Sequence, residues 1–119
     1  MKRIDLSHSE TDERGAICIF DKLPFDCKRF FTICATKGQI RGEHAHLRTK
    51  MLLYAINGRV QIEVITKRRT ETDVLTPNSF GLLLMPSEYR RMIFQENSCL
   101  IVLADTTFDK NDYVFVVPK

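Results

Sequence analysis

Two imidazoles carry the most readable chemistry in this sequence: His44 and His46, within Arg41-Gly42-Glu43-His44-Ala45-His46. Side chains alternate along a β-strand, so both histidines point to one face while Glu43 and Ala45 point to the other. Side by side and neutral, two imidazoles suit proton transfer near neutral pH or metal binding. Arg41 joins their face only if the strand is interrupted at Gly42. A glycine inside a strand marks a bulge or a place where a ligand nears the backbone.

The elements that would position this stretch read as short strands. Asp12-Glu13-Arg14-Gly15 is a turn signal leading into the apolar run Ala16 to Phe20, and Arg29 to Ala35 reads as a further strand. Lys37-Gly38 is the next turn. Met51–Ile56 and Arg59–Ile65 flank Asn57-Gly58, a strong hairpin signal. In the second arm Val60, Ile62 and Val64 share a face opposite Gln61 and Glu63. A strand opens at Ser79-Phe80-Gly81 and stops at Met85-Pro86. A second hairpin is expected from Tyr89 to Ala104, turning near Glu96-Asn97. Asp109 to Tyr113 reads as a turn or short helical loop. The expectation is a single all-β domain over residues 1–119, a barrel or two-sheet sandwich.

Composition narrows the function classes. The chain has 119 residues, 44% of them apolar, with 18 basic and 15 acidic side chains and a formal charge of +3. That balance is too mixed to predict a nucleic-acid polymer as partner, and Lys67-Arg68-Arg69, followed by Glu71 and Asp73, reads as a solvated turn. Cys18, Cys27, Cys34 and Cys99 form no CxxC pair, so they are expected to be plain buried thiols. The polar start and the lack of a long apolar run predict no signal peptide, no membrane partner and a cytoplasmic location. A small β domain must cover its edges and apolar surface, so a homodimer is expected.

Gly38, His44, His46 and Gly58 resemble the first motif of the cupin superfamily. Metal-binding cupins place a glutamate where this chain has Met51 and a further histidine around Tyr89 to Arg91. Neither is present, so no metal is expected. Within the superfamily, Arg41 to His46 is similar to the RGxHAH signature of bacterial 3,4-ketoisomerases acting on thymidine-diphosphate-linked 4-keto-6-deoxy sugars. Asp12 to Gly15, Gly81-Leu82 through Pro86, Val102-Leu103-Ala104 and Phe108 to Tyr113 resemble further motifs of that group, in the same order.

The resemblance implies a cupin-type jelly-roll barrel, a homodimer with exchanged strands, and no metal or organic cofactor. It implies an isomerase that moves the keto group between C4 and C3 through an enediol or enediolate. On this chain His46 is expected to be the base, with His44 relaying and Arg41 holding charge or diphosphate. Tyr89, Thr32, Arg14 and Met51 complete the expected substrate contacts. The group carries a tyrosine pair where this chain has Phe31-Thr32, so the donors around the sugar differ; Tyr54 is a candidate substitute phenol. A related sugar-nucleotide epimerase or isomerase, or a non-catalytic nucleotide- or partner-binding barrel, are the alternatives.

Overall fold

The computed structural model describes all 119 residues, Met1 to Lys119. Two five-stranded antiparallel sheets face each other. The first runs, in spatial order, β1 (Lys2–Ile4), β9 (Gly81–Leu84), β6 (Met51–Asn57), β11 (Ser98–Ala104) and β4 (Arg29–Ala35). The second runs β12 (Tyr113–Val114), β5 (Ile40–His46), β10 (Tyr89–Phe94), β7 (Val60–Ile65) and β8 (Thr70–Leu75). A separate hairpin, β2 (His8–Asp12) with β3 (Gly15–Ile19), pairs with neither sheet. The only helical element is a 3-10 turn at Lys110–Asp112, so no helix is long and apolar enough to cross a membrane. This is the expected all-β jelly-roll barrel.

Alternation builds the core. Leu53 and Ala55 on β6, Leu100 and Val102 on β11, and Val60, Ile62 and Val64 on β7 are completely buried between the sheets. Each large aliphatic side chain among them contributes on the order of 1.5–3 kcal/mol by leaving water. On β4, Phe31, Ile33 and Ala35 pack against this core while Phe30, Thr32 and Cys34 face outward.

The two expected hairpins are not hairpins. β6 pairs with β9 and β11, and β7 pairs with β8 and β10, so Asn57-Gly58 carries the chain from one sheet to the other. The turn at Glu96-Asn97 does the same between β10 and β11. The two crossovers bind each other instead of closing ribbons: the Asn57 side-chain oxygen accepts from Cys99 N at 2.8 Å, and Arg59 N donates to Ser98 Oγ at 2.9 Å. Gly58 adopts φ +78°, and a Cβ there would lie 1.9 Å from Ser98 Oγ. The glycine that suggested a tight reversal is required by close packing between the crossovers.

The cysteine expectation is also corrected. Cys34 and Cys99 stand opposite each other on β4 and β11 with Cα atoms 4.1 Å apart and are joined as a disulfide. Cys27 is exposed and Cys18 half-buried, so none is a plain buried thiol. Both of the paired residues fall on the outward register of their strands, which an apolar-run reading cannot distinguish from the inward one. Thr66 to Arg69 is a solvated turn in which Arg69 pairs with Glu71.

Candidate active site

Strand β5 delivers the histidines through a bulge. His44 pairs with Arg90 on β10, but Arg91 pairs with Gly42, leaving Glu43 as the extra residue. Gly42 and Glu43 both take positive φ, +87° and +57°. The extra residue shifts the alternation by one. Arg41 therefore pairs with Met92 and lines the same cavity of about 450 Å³ as His44, His46 and Met92. The condition for Arg41 to join the histidines is met.

At the cavity floor a chain of hydrogen bonds runs from the core to the pocket. Asp112, buried on the 3-10 turn, accepts from His46 Nδ1 at 2.8 Å, from the Arg48 backbone N–H at 2.9 Å and from the Thr49 hydroxyl. His46 Nε2 lies 3.1 Å from His44 Nε2, and His44 Nδ1 donates to the Gly42 carbonyl at 2.9 Å. Burial alone would raise the Asp112 carboxyl, but its bonds from Thr49, Arg48 and His46 prevail and hold it below the usual carboxylate range. It is a fixed negative charge that orients His46.

Arg90 sits on the other side of the pair, next to His44 in register and completely buried. Its guanidinium donates to the Glu88 carbonyl at 3.0 and 3.1 Å and touches Met51 Sδ at 3.6 Å, but no carboxylate lies within ion-pair distance. Burial pushes it down to about 10, against the raising influence of Glu88, Tyr113 and Asp112. A buried cation without a carboxylate partner is costly. Here it works on the histidines. Burial first, then Arg90, lower His46 to about 4 despite Asp112, and burial with Arg90 also lowers His44. Both imidazoles are neutral at pH 7, the form that can accept a proton.

The cavity gathers Arg41, His44, His46, Met51 and Thr32 of the expected site residues. Thr32 reaches it only from the outward register of β4; the inward residue of the Phe31-Thr32 pair is Phe31, which has no donor. Two expected contacts lie elsewhere. Tyr89 is buried outside the cavity lining, one register away from the inward-facing Arg90, so it offers no open ring. Arg14 lies at the tip of the β2–β3 hairpin, bonded to Asp12 and largely exposed, and does not line the cavity of its own chain. Tyr54 points to the outer face of the first sheet, against Phe20, so it supplies no phenol here. The residues missed are Asp112, Arg90 and Tyr113. Asp112 and Tyr113 stood in the quoted tail motif, but nothing in the linear sequence ties residue 112 to residue 46.

The chain has relatives among known proteins. The model of the family described as "FdtA: WxcM-like, C-terminal" matches residues 1–116. The chain belongs to this family. A relative from Aneurinibacillus thermoaerophilus, TDP-4-oxo-6-deoxy-alpha-D-glucose-3,4-oxoisomerase, is 29% identical over 108 residues, covering 87% of this chain and 78% of that protein. Among solved structures, the sugar 3,4-ketoisomerase of Thermoanaerobacterium thermosaccharolyticum in complex with TDP superposes with a TM-score of 0.87 at 28% identity, covering 97% of this chain and 87% of that one. A 3,4-ketoisomerase from Helicobacter canadensis gives a TM-score of 0.87 at 27% identity, covering 97% and 90%.

Proposed function

We propose that this WxcM-like protein is a sugar-nucleotide 3,4-ketoisomerase acting on a thymidine-diphosphate-linked 4-keto-6-deoxyhexose. The observation that carries the reading is the buried Asp112–His46–His44 chain opening into a cavity large enough for a sugar. His46, neutral and oriented by Asp112, removes the C3 proton beside the C4 ketone. His44 relays that proton, which returns at C4 as the carbonyl forms at C3. Arg41 at the cavity wall binds the diphosphate or the negative charge that develops on oxygen, and Met51 and Thr32 border the sugar. The chemistry asks for no metal or organic cofactor, and nucleotide-activated sugars place it in the cytoplasm.

The working unit in this reading is a homodimer with exchanged strands. The outer face of the first sheet presents Phe20, Phe30, Leu52, Tyr54, Ile101 and Leu103 as one apolar hollow, with Phe30 62% exposed. A second copy covers such a face. The unpaired β2–β3 arm is the element available for exchange, and exchange is the route by which Arg14 comes near a substrate.

Two experiments test this reading. In deuterated water with the TDP-linked 4-keto-6-deoxyglucose, NMR should show the C3 proton exchanging and the 3-keto product forming. His46→Asn should abolish both while TDP binding persists; a protein that binds TDP without exchange or product would refute the ketoisomerase. Light scattering should give a dimer that Ile101→Asp dissociates, whereas a wild-type monomer would refute the assembly.

A further inference from the structure

Moving a carbonyl from C4 to C3 requires two proton transfers at carbon and two at oxygen. The histidines are committed to the carbon side: their Nδ1 atoms donate to Asp112 and to the Gly42 carbonyl, and their Nε2 atoms face each other. A guanidinium holds its protons throughout, so Arg41 can stabilise an oxyanion but cannot serve as an acid. Phe31 has no exchangeable proton, and Thr32, which reaches the cavity only from the outward register of β4, carries an alcohol far less acidic than a phenol.

Tyr113 remains. Of the three tyrosines it alone lines the cavity. β12 pairs it directly with His46, so both occupy the inward face, with ring centroids 4.6 Å apart; the His44 ring is 4.8 Å away. Its hydroxyl takes no part in the hydrogen bonds that tie Asp112, Thr49 and the histidines together. It is an electrostatic neighbour of the buried Arg90.

Resting on the ketoisomerase reading, we propose that Tyr113 is the proton carrier on the oxygen side of the reaction, doing from β12 what no phenol on β4 can do in this chain. As the C3 proton leaves for the imidazole, the phenol gives its own proton to O4, and the C3–C4 enediol forms beside a phenolate. The phenolate then takes the proton from O3 while the imidazolium returns its proton to C4. The C3 carbonyl forms, the C4 alcohol is complete, and enzyme and proton count are restored without any redox partner.

The test uses wild-type protein, Tyr113→Phe, and Tyr113→Phe combined with Phe31→Tyr. Phenylalanine keeps the ring against the histidines and removes only the hydroxyl. Tyr113→Phe should lower kcat by about 10²-fold, the low end of the range for a lost general acid, with TDP affinity measured by calorimetry within about twofold of wild type. The added tyrosine on the inward register of β4 should restore at least tenfold of the lost turnover. A Tyr113→Phe protein with kcat within threefold of wild type would overturn the proposal, as would parallel losses of turnover and TDP binding, which mark a packing role. A wild-type protein that binds TDP but does not turn over removes the ketoisomerase reading and this proposal together, and is recognised before any variant is compared.

Discussion

His44 and His46 meet Nε2 to Nε2 at 3.1 Å with both Nδ1 atoms already engaged by acceptors, a carbonyl on one side and a carboxylate on the other. Each Nδ1 must therefore carry a proton, and in the neutral pair both Nε2 atoms present lone pairs. The pair lacks the one proton that would join them. A base poised in this way gains a hydrogen bond on accepting a proton, while burial and Arg90 keep that proton off until substrate provides it.

Asp112→Asn tests the tautomer. An amide can donate to His46 Nδ1, which moves the imidazole proton to Nε2, fills the gap toward His44 and leaves His46 without its free lone pair. Turnover should fall on the order of 10³-fold, within the range for a misoriented acid/base, with TDP binding retained. Nitrogen NMR of the imidazoles should show the proton on Nε2. Turnover within threefold of wild type would remove Asp112 from the mechanism.

Arg90→Met tests the source of the lowered histidines. Removing the positive charge moves both histidines up toward 6.5, so the acid limb of kcat/KM, expected near pH 4 in the wild type, should shift upward. Because the replaced cation has no carboxylate partner, unfolding midpoints should change little or rise. An unshifted acid limb would show that burial alone sets the imidazoles.

Stability should follow the same groups. Histidines lowered in the fold bind fewer protons than in the unfolded chain. Their contribution is thus fully present above pH 6.5 and lost as pH falls toward 4, at up to about 1.4 kcal/mol per pH unit for each fully shifted group. Asp112, lowered in the fold, adds a loss at still lower pH, as it protonates. Urea midpoints at pH 7.5 and pH 5 should show the decline, and His46→Gln should reduce it. Equal midpoints would contradict the assignment.

Reducing the Cys34–Cys99 bridge should lower stability. It closes a loop over a sequence separation of 65 residues, and releasing that constraint on the unfolded chain costs about 4 kcal/mol in the chain-entropy account. Denaturation with and without dithiothreitol measures it, with Cys34→Ser/Cys99→Ser as the reagent-independent counterpart. Identical curves would show that the bridge adds nothing.

Strand content was legible because it depends on local alternation: Val60-Gln61-Ile62-Glu63-Val64 is buried and half-buried in turn. Sheet membership was not legible. Asn57-Gly58 looks the same whether it closes a ribbon or crosses a barrel, and the deciding contacts come from Asn97 and Ser98, about forty residues away. The site divides in the same way. His44, His46 and Arg41 lie on one strand and were found together. Arg90, Asp112 and Tyr113 arrive from other strands through pairings that no local pattern encodes.

The bulge on β5 makes the site sensitive to phase as well as to chemistry. Substituting Glu43 leaves the count of residues intact, and with it the direction of every side chain before the bulge. Forcing Glu43 into an ordinary paired place in the ladder would retain every functional group yet turn Arg41, three residues from His44, to the solvent side, away from histidines that β12 and β10 still hold in place. Deleting Glu43 would instead leave Arg41 two residues from His44 and on its face, so the guanidinium keeps its place in the cavity through the parity of the paired residues and not through Glu43 itself.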